Sequence, residues 1–184
     1  MKYVHLAGIG IGAILVAAVA FATPGARAAP SWAVAEAASA TEQNDNVTKL
    51  TIDASGDVPR KTSVDPDAVA GFAFADLDTD KVLVATIHPT FRDSAQNPDS
   101  WHLHAAQLAA GVNGHDFCIA SFFPNPTGGI SIQGDQMSIS VRNSAMPFTV
   151  AEIDGAVGFV VNGEAGCAGT GLAVDVTAAP VGLS

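Results

Sequence analysis

The chain has 184 residues, 48% of them hydrophobic and 14% charged. This suffices for one globular domain with a substantial core and is too little for two large ones. The formal charge is −10, with the basic Lys2 and Arg27 standing before all 18 acidic residues, so the body repels phosphate backbones and nucleic-acid binding is excluded as a function class.

The N-terminus sets the compartment. Lys2 precedes an apolar run from Leu6 to Ala22, and Ala20-Phe21-Ala22 and Ala26-Arg27-Ala28 are both small-x-small cleavage patterns. Residues 1–28 therefore read as a helical secretory signal peptide, cut after Ala28 or, second, after Ala22. The alternative is a retained anchor, because the apolar run reaches the lower limit of a membrane span. Membrane contact is expected only through such an uncleaved segment. Residues 29–46 are Ala-rich and then polar; they read as a flexible leader, partly helical over 31–40. Asn46-Val47-Thr48 is a glycosylation sequon at its end.

From Lys49 onward the pattern is all-β. Strand-like runs are expected at 49–54, 69–75, 82–91, 101–109, 117–123, 129–133, 136–141, 156–161 and 172–177, separated by Gly, Pro, Asn and Asp turns. At most a short helical turn fits at 152–155. The clearest hairpin places Ile130 and Ile132 on one face of its first strand and Met137, Ile139 and Val141 on one face of its second, around Gly134-Asp135. Many short strands at near-regular spacing predict an antiparallel β-sandwich of about seven to nine strands over residues 47–184, immunoglobulin- or superoxide-dismutase-like.

The chemistry centres on Trp101-His102-Leu103-His104. Residues i and i+2 of a strand share a face, so His102 and His104 point one way and Trp101 and Leu103 the other. His88 ends a neighbouring strand and His115 follows in a loop. Together these imidazoles form a candidate copper or zinc site, with Asp116 as an oxygen ligand or as an orienting group, and Asp99 as a second choice for that role. The competing reading is a polar face of ordinary strand histidines in a purely structural envelope protein.

Other motifs carry less. Asp76-Leu77-Asp78-Thr79-Asp80 begins like a calcium loop, but Lys81 stands where the turn needs Gly and Ile87 where it needs Glu, so a solvated hairpin turn is expected. No histidine follows Cys118 closely enough for a blue-copper loop, and no Gly-x-Ser-x-Gly elbow is present. In a secreted chain the pair Cys118 and Cys167 implies a disulfide.

On these residues, the segment from Gly71 to about Thr177 resembles a chordin-type (CHRD) secreted β-domain, whose strand after an early hairpin carries His-x-His. The same strand, with Cys118 and Gly166-Cys167-Ala168-Gly169 downstream, resembles the copper-site strand and disulfide arrangement of Cu,Zn superoxide dismutases. The Trp-His-x-His stretch is also similar to that of small exported archaeal proteins. The resemblances imply a secreted or cell-surface binding or structural module with a cell-envelope or extracellular protein partner. They imply, as the alternative, a mononuclear copper redox enzyme of dismutase type. No histidine follows His115, so the two-metal dismutase site is not expected.

Overall fold

A computed structural model describes residues 29–61, 69–88 and 100–184. The expected signal helix at 1–28, Phe91 and Asp99 lie outside the described residues. Ten antiparallel strands run through the described part: β1 (Ala35–Asn44), β2 (Val47–Ala54), β3 (Val69–Asp76), β4 (Lys81–Ile87), β5 (His102–Ala110), β6 (Phe117–Phe122), β7 (Gly128–Gln133), β8 (Gln136–Arg142), β9 (Gly155–Gly163) and β10 (Leu172–Val176). They do not form the seven-to-nine-stranded sandwich expected. Four build an open sheet in the order β1-β2-β8-β7, and six close into a barrel in the order β10-β6-β5-β4-β3-β9. The residues meant for a second sandwich layer instead pair around a ring, because β10 bonds to both β9 and β6.

Strand alternation assigns the barrel residues to two separate cores. On β3, Phe72 and Phe74 face outward, where they meet Leu50, Ile52, Met137, Ile139 and Val141 of the open sheet. These seven side chains are all essentially inaccessible to solvent. Ala73, Val82, Val84, Ala106, Ile119, Val157, Phe159 and Val174 face the barrel interior. The open sheet therefore packs against one wall of the barrel, and that wall is apolar on both faces. Its runs are nearly continuous in hydrophobicity, as buried strands require. The hairpin of β7 and β8 has the expected register, Ile130 opposite Ile139 and Ile132 opposite Met137. Gly134 adopts a φ of 62° in its turn, a conformation that glycine takes without steric cost.

The leader expectation is corrected. Ala35–Asn44 is a strand, paired with β2 through Ala38–Ile52 and Ala40–Leu50. Alanine favours helix intrinsically, but here Ala35 and Ala38 are buried in the core between sheet and barrel. Small side chains suit the close approach: Gly158 on β9 lies so near the Ala33 carbonyl that a Cβ there would stand 1.8 Å from its oxygen. The Thr177 hydroxyl also donates to the Ala33 carbonyl. The outer edge of β1 is partly covered by the C-terminal segment, with Ser184 N–H donating to the Ala38 carbonyl at 3.0 Å, which blunts an edge otherwise open to pairing. The sequon residue Asn46 is exposed in the β1–β2 turn, while the Thr48 hydroxyl is buried and donates to Asn143 Oδ1 at 2.9 Å.

Closure is thinnest between β6 and β10, where only Ala173–Cys118 and Val174–Phe117 pair. The expected disulfide joins Cys118 to Cys167 here, 49 residues apart, and packs with Ala173. It holds the β9–β10 connection against β6 where hydrogen bonds are few. Replacing both cysteines by alanine should lower stability by up to about 4 kcal/mol in the chain-entropy picture, with amide exchange accelerating first in β6 and β10. Uniform acceleration over all ten strands would contradict a local role at this seam.

Candidate metal centre

The end of β4 and the start of β5 meet at one mouth of the barrel. Their register puts Thr86 opposite His102 and Val84 opposite His104. Directly opposed residues of an antiparallel pair share a face, so His102 and His104 stand on the face of Thr86 and Val84. His88, two residues past Thr86, keeps the same parity. One nitrogen from each of His88, His102 and His104 lies within 4.8 Å of the others. The three residues therefore stand close enough to hold a metal ion. Three imidazole nitrogens bound at ~2.0–2.1 Å in tetrahedral geometry are roughly 3.3 Å apart. His88 Nε2 and His102 Nε2 are 2.7 Å apart, so this pair must open by about half an ångström to meet one ion at that spacing.

The ring arrangement favours convergence. His102 stands nearly perpendicular to both neighbours, at 80° to His88 and 78° to His104, with centroids 4.5 and 4.7 Å away. Its Nδ1 lies 2.9 Å from the Ser100 carbonyl oxygen. A carbonyl can only accept, so in the neutral ring the proton sits on Nδ1 and the Nε2 lone pair faces His88. This is the usual way a backbone carbonyl fixes the tautomer of a ligating histidine. His88 Nε2–H then donates to His102 Nε2, and a metal cation would take the place of that shared proton. His88 is buried, whereas His102 and His104 are partly buried.

The opposite face of β5 anchors it. Leu103 is buried, and Trp101 packs against the same core. Trp101 stacks on Phe72 at 6.2 Å and meets Trp32 edge-on at 5.5 Å, and its Nε1–H donates to the Pro59 carbonyl at 2.6 Å. Both faces of the Trp-His-Leu-His stretch thus behave as alternation requires. His102 borders an open groove with Arg60, Asn125 and Ser131 on the outside, while His88 and His104 line the barrel interior. The cluster stands between the two.

His115 and Asp116 do not join it. They lie at the other end of β5, in the β5–β6 connection. His115 Nδ1 is 3.0 Å from both carboxylate oxygens of Asp175, which also accepts from Asn162 at 2.9 Å. Asp116 Oδ2 accepts the Val176 backbone N–H at 2.9 Å. These residues tie the connection to β10 across the weak seam. Their nearness to His104 in sequence is lost because β5 runs the height of the barrel between them. Glu164, 3.6 Å from His115 Nε2, has its carboxyl held below the ordinary value by the Gly166 N–H, then by the Asn113 side chain, with His115 adding a smaller effect.

The acidic turn is a hairpin turn, as expected. Asp76 is buried and accepts from the Thr79 hydroxyl and from the N–H groups of Asp78 and Thr79. The Thr79 hydroxyl is the largest cause holding its carboxyl below the ordinary carboxylate range, ahead of those backbone donors and Lys81. Met137 is core, and Met146 packs against that core. No helix among the described residues is long and apolar enough to cross a membrane. Comparison of the chain with family models, curated proteins and solved structures returns no match.

Groups with a depressed folded pKa stabilise the fold above the unfolded carboxylate value, and that contribution is lost as pH falls through the folded one. Stability should therefore decline below about pH 4. Asp76→Asn, already without the carboxylate, should lose less over the same interval in chemical-denaturation curves. An identical decline in the variant would remove Asp76 from the acid response.

Proposed function

We propose that this chain is an exported, cell-surface binding module of CHRD-like character, in which His88, His102 and His104 hold one copper or zinc ion. The observation that carries the reading is the convergence of three imidazoles within 4.8 Å, with the Ser100 carbonyl orienting the middle ring. Neutral imidazole suits both metals, and the acidic surface raises the local cation concentration. Export rests on the signal-like residues 1–28, and the Cys118–Cys167 disulfide is compatible with an extracytoplasmic compartment. The partner proposed is a cell-envelope or extracellular protein.

A second reading is a mononuclear copper redox enzyme of dismutase type. It is favoured by a three-nitrogen set, which leaves a fourth position for water or substrate, next to the outward groove at His102. Superoxide turnover by fully copper-loaded protein decides between the two, and no turnover removes the enzyme.

Titration calorimetry of the metal-stripped protein with Cu²⁺ and Zn²⁺ tests the site itself. One equivalent should bind, and weakly at acidic pH, because metal binding displaces protons from its ligands. His88→Ala, His102→Ala and His104→Ala should each weaken binding by more than about a hundredfold, beyond the ~10–100-fold that the loss of an orienting group costs. His115→Ala should bind as the parent does. No saturable binding, or equal loss in His115→Ala, would defeat the proposal.

A further inference from the structure

The described residues do not fill the barrel. Six-stranded closure leaves a narrow interior that side chains normally occupy, but here several inward positions on β3 and β5 hold small residues. Both central inward residues of β3, Ala73 and Ala75, are alanines, and they stand opposite Val84 and Val82 on one side and Val157 and Gly155 on the other. Ala106 of β5 faces Val82. The result is a cavity of about 490 Å³ running along the barrel, roughly three times the ~150 Å³ that holds a benzene ring. An apolar void costs stability in proportion to its volume, and water gains little from walls of Ala, Val, Leu and Phe.

Its neutral polar groups gather at one end, while at the other Asp154 is engaged by the Leu77 N–H at 2.7 Å. Thr86, His88, His104 and Asn125 line the end that carries the imidazoles. Thr86 is 4% exposed, and its hydroxyl has no hydrogen-bond partner among the described residues. A buried polar atom left in this state is costly unless something else meets it. Among the described residues no Lys or Arg lines the cavity, which favours an uncharged ligand over an anion. Each end also carries an exposed apolar side chain: Phe122, 48% exposed, 5.9 Å from the His104 ring, and Leu77, 55% exposed, in the β3–β4 turn.

We infer that the barrel interior binds one uncharged amphiphilic molecule, with an apolar body of up to about three aromatic rings and a single hydroxyl or carbonyl oxygen. The body lies among Ala73, Val84, Ala106 and Val157. The oxygen sits at the histidine end and bonds to Thr86 Oγ1. The site goes beyond the metal reading and does not require an ion.

The probe is N-phenyl-1-naphthylamine, an uncharged fluorophore, added to EDTA-treated protein and displaced by 2-naphthol, naphthalene or 2-naphthoate. Saturable one-to-one binding is expected. 2-Naphthol should displace the probe about fivefold better than naphthalene, the worth of one neutral hydrogen bond, and at least tenfold better than the charged 2-naphthoate. Thr86→Val keeps the volume and removes the hydroxyl, so the 2-naphthol advantage should vanish while naphthalene is unchanged. Ala106→Phe should abolish probe binding. Absence of saturable probe binding, or persistence of the 2-naphthol preference in Thr86→Val, overturns the inference. So does equal displacement by 2-naphthoate, or unaltered probe binding in an Ala106→Phe protein that melts as the parent does. Because ions are absent throughout, failure of the metal centre leaves this result intact.

Discussion

The hydrogen-bonded register of β4 against β5 is the constraint on which the rest depends. With Thr86 opposite His102 and Val84 opposite His104, a single strand pair decides two things. It turns His88, His102 and His104 to one shared face at the barrel mouth, and it turns Leu103, with Trp101 just before the strand, toward the core under the open sheet. A slip of one residue would exchange the two faces. The Trp32–Phe72–Trp101 contacts would be lost and the imidazoles would enter the apolar core, so packing on one side enforces the placement of the imidazoles on the other.

The same wall links stability to the site. Phe72 and Phe74 on β3, with Leu83 and Ala85 on β4, belong to the core shared with the open sheet. Their inward neighbours line the cavity. The open sheet therefore acts as a buttress behind the strands that carry chemistry, which suits a site needing placement to within about 0.5 Å. The side farthest from this buttress, between β6 and β10, is where pairing is sparse and where the disulfide, Asp116 and the His115–Asp175–Asn162 network all cross.

Period-two patterning and turn residues were enough to locate nine of the ten strands, because β2 to β10 combine apolar alternation or apolar runs with Gly, Asn, Asp or Pro boundaries. β1 escaped because alanine carries no strand signal of its own, and its state is decided by pairing with β2. Barrel closure was not legible either, since nothing local distinguishes a strand that joins a second sheet from one that closes a ring. The histidine pair was legible from i, i+2 geometry alone. His88 followed from its strand end, whereas His115 and Asp116 were assigned by sequence proximity and proved to serve the seam. The cavity could not be read from sequence, since Ala73, Ala75 and Ala106 become a space only once the ring is closed.

The central claim is that strand alternation brings three imidazoles to a single point at the barrel mouth. X-ray absorption at the metal edge of zinc-loaded protein tests it most directly. The account predicts three imidazole nitrogens at ~2.0–2.1 Å plus one light donor from solvent, with one imidazole lost in His88→Ala. A first coordination sphere of oxygens only, or an imidazole count unaffected by His88→Ala, would contradict it.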